Sequence, residues 1–449
     1  MMAGELPRIW IDLEDVFEYA AFNPRPSGIQ RVQFELCRAL LALAGDRIGF
    51  LRHRPESGGF RTVSWTRVEQ LFARLRDAQP KPPRPPPVER ERLRRTLERL
   101  PLRLRIPLLQ FAADQRAATI AFARLVRASL ERPARERASE GADLETLARP
   151  ADVVLGLGAL WRTPDYPARI RTVCAARGLR FALLIHDLIP LRYPEWVEPG
   201  LARQFRAWFD PVIGLADHVL AYSQATAGEI GAYVAAHRLV VRAPVRVIPF
   251  GAGFDRAAAP SLTRRVSPPP GSYVLTVSTL EPRKNHGLLV RVWRRLLDDL
   301  PRDQVPVLVL VGRVGAMMAD LMAQLRNSGY LDGKIALIED ATDGELETLY
   351  RGALFTVLPS FHEGWGLPVT ESLGFGVPCL AAGVSSLPEA GGALARYFDP
   401  DNATEAYVLI RATLADRAAL ALWRARIAGT FRPVPWRESA AALLEAVGT

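Results

Sequence analysis

Residues 360–389, SFHEGWGLPVTESLGFGVPCLAAGVSSLPE, constrain this chain more than any other stretch. They follow residues 353–358 (ALFTVL), an apolar run of strand length that Pro359 ends, and they continue through Pro368, which suits the first turn of a helix. Strand, turn and helix thus follow in order. Gly364 and Gly366 flank Trp365 in the turn, and glycines let a backbone approach a ligand closely. A helix start behind such a turn offers free N–H groups and a positive dipole end to an anion, most often a phosphate. Glu363 lies in the turn and Glu371 about one helical turn past Pro368, so both carboxylates face the same crevice. Carboxylates repel phosphates and are expected to grip hydroxyls instead. The stretch calls for a ligand that is both anionic and polyhydroxylated.

The pattern EGWGLPVTES, followed by a small apolar strand and SSLPE, resembles the donor-site segment of retaining glycosyltransferases of family 4. The resemblance implies an α/β chain of the GT-B fold, in which two Rossmann-like domains with parallel sheets face an interdomain cleft. It implies that Glu363 binds the transferred sugar and Glu371 the ribose of its nucleotide, with Gly364, Trp365, Gly366 and Leu367 around the donor.

With 449 residues, 49% of them hydrophobic, the chain can bury two ordinary cores. The expected division is an acceptor-side domain at 1–260, a nucleotide-sugar domain at 261–430 and a terminal helix at 431–449 that crosses back to the first domain, with a linker at about 255–270. Cys37, Cys174 and Cys379 stand singly in apolar-periodic segments and lack metal-ligand spacing. The N-terminus has no basic region followed by an apolar stretch, and no apolar run is long enough to span a bilayer. A cytoplasmic protein is the expectation. The net charge of +10 is local: residues 81–137 hold 15 Lys and Arg against 6 Asp and Glu, a net of +9. A proline-rich linker (QPKPPRPPPV, 79–88) opens that segment, and leucines at helical spacing follow it. Residues 79–138 are therefore expected to be a basic helical insertion in the first domain, able to lie on the anionic inner face of the plasma membrane.

Three further places carry chemistry. Residues 8–13 (RIWIDL) read as a strand and 28–43 as a helix, with Ser27 as its N-cap, so the glycine-containing turn between them is again an anion-binding arrangement. PSGIQRV resembles the family's glycine loop, whose backbone faces the donor diphosphate or the acceptor; the resemblance implies Gly28 in that place, assigned to the donor, with Arg31 nearby on the acceptor side. Residues 181–185 (FALLI) form a buried strand that ends at His186 and Asp187, where open α/β sheets bind ligands. The family likeness of IHDLIPLRYPE implies that His186 contacts the donor sugar and that Asp187 shapes the acceptor side. In the second half, residues 273–279 are a strand followed by LEPRKNH and a helix, so Arg283 and Lys284 sit at a strand end. Two fixed cations there neutralise a diphosphate and the charge that grows on it as the glycosidic bond breaks. LEPRKN matches the family's phosphate loop, and the resemblance places the nucleobase along residues 338–341, beginning at Ile338.

The expected function is retaining transfer of a hexose from a nucleotide sugar, GDP-mannose leading, to a saccharide acceptor, lipid-linked in the first instance, during polysaccharide assembly. A same-fold enzyme acting on a soluble sugar phosphate is the alternative. A nucleic-acid-binding protein is suggested by the basic charge, but the chain shows no recognition helix and no interleaving of aromatic with basic residues. No cofactor and no metal are expected. Asp12, Glu14 and Asp15 resemble a carboxylate metal motif superficially and read as a polar loop after the first strand.

Overall fold

The computed structural model describes residues 6–23, 25–54, 58–77, 141–253 and 268–448. The expected insertion at 79–138 and most of the expected linker at 255–270 lie outside the described residues.

Seven strands build the first sheet: β1 (Ile9–Asp12), β2 (Ile48–His53), β3 (Phe60–Val63), β4 (Val153–Gly156), β5 (Arg180–Ile185), β6 (His218–Ala221) and β7 (Val245–Val247). Their order is β3-β2-β1-β4-β5-β6-β7, with only β3 antiparallel to its neighbour. Six more form a wholly parallel second sheet: β8 (Tyr273–Val277), β9 (Val307–Val311), β10 (Ile335–Ile338), β11 (Thr356–Leu358), β12 (Cys379–Ala382) and β13 (Arg396–Phe398). Their order is β10-β9-β8-β11-β12-β13. Runs such as VLVLV in β9 are apolar at every position because helices cover both faces of a parallel sheet. The described residues thus form two Rossmann-like domains.

Strand order reverses at β1/β4 in the first sheet and at β8/β11 in the second. Loops leaving the carboxyl ends of strands at such a reversal splay apart, which opens room for a ligand. Arg283 and Lys284 follow β8, and Glu363 follows β11. The charged residues singled out in the second half therefore converge on its reversal point.

The terminal helix Trp436–Gly448 buries Ala440, Leu443, Ala446 and Val447 in the same core as Ile9, Ile11 and Leu36 of the first half. Its tryptophan covers the backbone at Gly251, where a Cβ would lie 2.3 Å from the indole ring. The chain passes flush beneath that ring.

One local reading is corrected. Glu14–Phe22 is a helix, and Asp12, Glu14 and Asp15 are buried rather than set in a polar loop. Asp12 pairs with His53 at 2.8 Å and Glu14 with Arg52 at 2.9 Å, while Asp15 accepts from Gln33 at 3.0 Å and from the Ala159 N–H at 3.1 Å. Burial lifts Asp15 to about 6, against the lowering effect of those hydrogen bonds. Ser27 is the N-cap residue of the helix Gly28–Ala44 as expected; its hydroxyl donates to the Gln30 side chain and accepts no N–H of the first turn.

Leu443 is fully buried, so Leu443→Ala should cost about 2–5 kcal/mol of stability in urea denaturation. A cost below about 0.5 kcal/mol, the level of a surface change, would mean that the terminal helix does not dock.

Candidate functional site

Glu363 sits at the centre of a charge cluster. Arg283 Nη1 donates to its Oε2 at 2.8 Å, and Lys284 Nζ to its Oε1 at 2.5 Å. Burial pushes the Glu363 carboxyl up, but the charges of Lys284 and Arg283 outweigh it and hold the group at about 2. Lys284 is lowered by burial and by Arg283 beside it. Separate grips for a sugar and a diphosphate were the expectation; the structure gathers the acid and both cations into one cluster, in which Arg283 also pairs with Glu281 at 3.3 Å. A ligand that engages either element has to compete with the other.

The backbone of this turn is fixed from both halves. The Glu363 N–H donates to Ser385 Oγ at 2.9 Å, and Ser386 Oγ donates to the Glu363 carbonyl at 2.8 Å. From the first half, Ser223 Oγ donates to the Gly364 carbonyl at 2.9 Å, and Glu229 meets His362 Nε2 at 2.6 Å. A Cβ on Gly364 would lie 2.1 Å from the His186 carbonyl oxygen, so only glycine lets the two loops touch. Gly366 has φ +107°, and a Cβ there would lie 2.5 Å from Leu387. Both glycines are required by the geometry of the turn.

His186 follows β5 and its Nε2 donates to the Leu157 carbonyl at 2.7 Å. Burial lowers its pKa, so at neutral pH the ring is uncharged and Nδ1 is an acceptor. Asp187 Oδ1 accepts the Ile189 N–H at 3.0 Å, which shapes the start of the next short helix. Trp365 stacks on Phe250 at 5.2 Å and packs against cores of both halves, and Leu367 packs against the first-half core. These two side chains serve as struts between the halves. Gly28 opens the helix that faces Leu367, with 3.7 Å between its Cβ position and Leu367 Cδ1. Ile338 ends β10 and is half-buried.

Glu371 accepts the Tyr350 hydroxyl at 2.8 Å. Arg31, expected on the acceptor side, is placed against Asp343 of the second half. Arg25 donates to the Asp340 and Ala341 carbonyls, and Arg313 donates to Asn23 at 2.7 Å and to Tyr19 at 3.0 Å. Sequence reading gave no role to Glu389, whose carboxylate accepts the N–H groups of Gln224 and Ala225 at 2.7 and 2.8 Å. Those donors are the free start of the helix Gln224–His237, a natural seat for an anion. The partners lie more than 160 residues apart in the chain, and no local pattern announces the contact.

Burial raises Glu371 from its ordinary 4.5 to about 7, against the lowering influence of Arg31 and of the Tyr350 hydroxyl. A carboxyl that holds its proton more tightly when folded stabilises the fold at low pH, and that contribution disappears as pH rises from about 4.5 through 7. Glu371→Gln cannot titrate and should flatten the fall in denaturation midpoint over that range. Equal slopes in mutant and parent would contradict the burial of this acid.

Residues 264–426 match the family model described as Glycosyl transferases group 1. Serotype-specific mannosyltransferase WbdA of Escherichia coli is 27% identical over 271 residues, which cover 58% of this chain and 32% of WbdA. O-antigen chain mannosyltransferase B of Escherichia coli is 37% identical over 139 residues, 30% of this chain and 36% of the relative. The chain thus covers about a third of the length of these curated relatives. Among solved structures, Anabaena HepE in complex with UDP and glucose superposes with a TM-score of 0.58 at 15% identity, over 99% of this chain and 100% of that one. At that identity the likeness is one of fold. Residues 264–426 therefore form a glycosyl transferases group 1 domain, and the two sheets around the site adopt the GT-B architecture.

Proposed function

We propose that the chain transfers a mannosyl group from GDP-mannose, with retention of anomeric configuration, to a saccharide acceptor carried on a lipid during surface-polysaccharide assembly. The observation that carries this reading is the Glu363, Arg283 and Lys284 cluster at the β8/β11 reversal, in backbone contact with the loop of His186. The mannosyltransferase names of two relatives support the choice of sugar.

In this reading the donor diphosphate takes over Arg283 and Lys284, and the freed Glu363 carboxylate accepts hydrogen bonds from hydroxyls of the transferred sugar. Glu371 serves the ribose, and His186 Nδ1 accepts from a sugar hydroxyl. The bond between the anomeric carbon and the phosphate oxygen breaks while the acceptor oxygen bonds to that carbon on the same face. The acceptor proton passes to the departing phosphate oxygen, and nucleoside diphosphate leaves. Two cations against the leaving group and two substrates fixed side by side account for the acceleration, with no metal required.

Glu363→Gln should reduce transfer by about a hundredfold or more, while nucleoside diphosphate affinity stays within about tenfold of the parent. Turnover at the parental rate would remove Glu363 from the chemistry. A panel of GDP-, UDP- and dTDP-sugars, assayed for slow hydrolysis with excess EDTA present, should show GDP-mannose turned over best and undiminished by the chelator. Preference for another donor, or loss of activity with EDTA, would overturn the donor or the metal-free part of the proposal respectively.

A further inference from the structure

Strands β1 and β2 run parallel, and a groove of about 320 Å³ opens where both begin. Arg8 and Trp10 line it from the start of β1, Asp46 and Gly49 from around the start of β2, and Ser64 and Trp65 from the turn after β3, which runs the opposite way. His186 and Asp187 follow the carboxyl end of β5, a strand parallel to β1 through β4. The groove therefore lies at the other end of the first sheet from the loop that meets Glu363.

Its floor is aromatic and firmly held. Trp10 is buried, and its Nε1 donates to Asp152 at 3.0 Å. A Cβ on Gly49 would lie 2.3 Å from the indole, so the ring rests on the backbone of β2. Trp65 is half-buried, stacked on Phe34 at 5.3 Å and tilted against Phe50 at 5.0 Å. The rim is polar. Asp46 and Ser64 are exposed, and the Arg8 guanidinium lies over the Trp10 ring, 6.0 Å from its centroid. Ser64 Oγ accepts the Arg67 N–H at 3.3 Å, which leaves its O–H to donate. Arg8 and Asp46 line the same groove, yet among the described residues neither side chain has an ion-pair partner.

Opposite charges that line one groove without pairing select against charged ligands. An anion is repelled by Asp46 and a cation by Arg8. A neutral polyol is welcome to both: the carboxylate accepts from its hydroxyls, the guanidinium donates to their oxygens, and Ser64 adds a further donor. The C–H faces of a pyranose ring are apolar and pack on indole surface. A few placed polar groups around aromatic side chains are the usual make-up of a small-ligand site, and this volume lies at the low end of their range. We infer that the groove is a second saccharide-binding site, remote from the charge cluster, that takes a short stretch of neutral glycan. The choice of a growing polysaccharide as its occupant rests on the glycosyl-transfer reading: the groove then holds a part of the acceptor chain that does not react.

The test is titration calorimetry on the full chain, without donor, against a panel of neutral oligosaccharides of mannose, glucose and galactose. The parent should bind at least one of them. Asp46→Ala and Arg8→Ala should each weaken that binding by about fivefold or more, and Asp46→Asn, which keeps an acceptor, should recover part of the loss. Nucleoside diphosphate affinity and slow donor hydrolysis should stay parental in all three variants, because the groove shares no residue with the charge cluster. Thermal melts of each variant separate loss of binding from loss of fold. Parental oligosaccharide affinity in both alanine variants would overturn the inference, as would a parent that binds none of the panel or an equal fall in nucleotide affinity. A parent that binds an oligosaccharide through Asp46 and Arg8 but turns over no nucleotide sugar would sustain the groove and end the glycosyl-transfer reading, so the two failures are distinct.

Discussion

The carboxylate of Glu363 between Arg283 and Lys284 is the interaction on which the rest of the structure depends. Three charged groups are removed from water there, at a desolvation cost that mutual attraction offsets only when geometry and hydrogen bonding are good. The surrounding turn supplies that geometry. Ser385 and Ser386 hold the backbone of Glu363, the His362 carbonyl accepts from Arg283, and the Phe361 N–H donates to the Arg283 carbonyl at 2.8 Å. The loop after β8 and the loop after β11 are thus one object, which the reversal of strand order brings together.

The same cluster explains why the two halves meet where they do. Gly364 brings its backbone against His186 because it has no Cβ, and Ser223, Glu229 and the helix start at Gln224 each take a partner from the second half. Most of these contacts are hydrogen bonds to backbone or to charged groups, which can be exchanged for water or ligand at modest cost. Trp365 and Leu367 add apolar contact.

Much of the fold could be read in advance because its determinants are local. Alternation of apolar runs of strand length with helical periodicity placed β1, β5, β8 and the helices Gly28–Ala44 and His286–Asp299 to within a few residues. The readings that failed were those where a distant partner changes the meaning of a polar residue. Asp12 and Asp15 look like loop residues in isolation, and they are buried because His53, Gln33 and Ala159 arrive from elsewhere in the chain to satisfy them.

The sequence by itself determined the two-sheet α/β class, the strand-turn-helix units and the identity of the acids and cations near the β8/β11 reversal, since spacing, glycines and prolines act over a few residues. Tertiary structure alone decided how those charges are paired. Only the folded chain shows that Glu363 answers Arg283 and Lys284, that Arg31 crosses to Asp343 and that Glu389 seats the helix at Gln224. Coulombic attraction and desolvation depend on distance in space and on burial, and neither can be read from position along the chain.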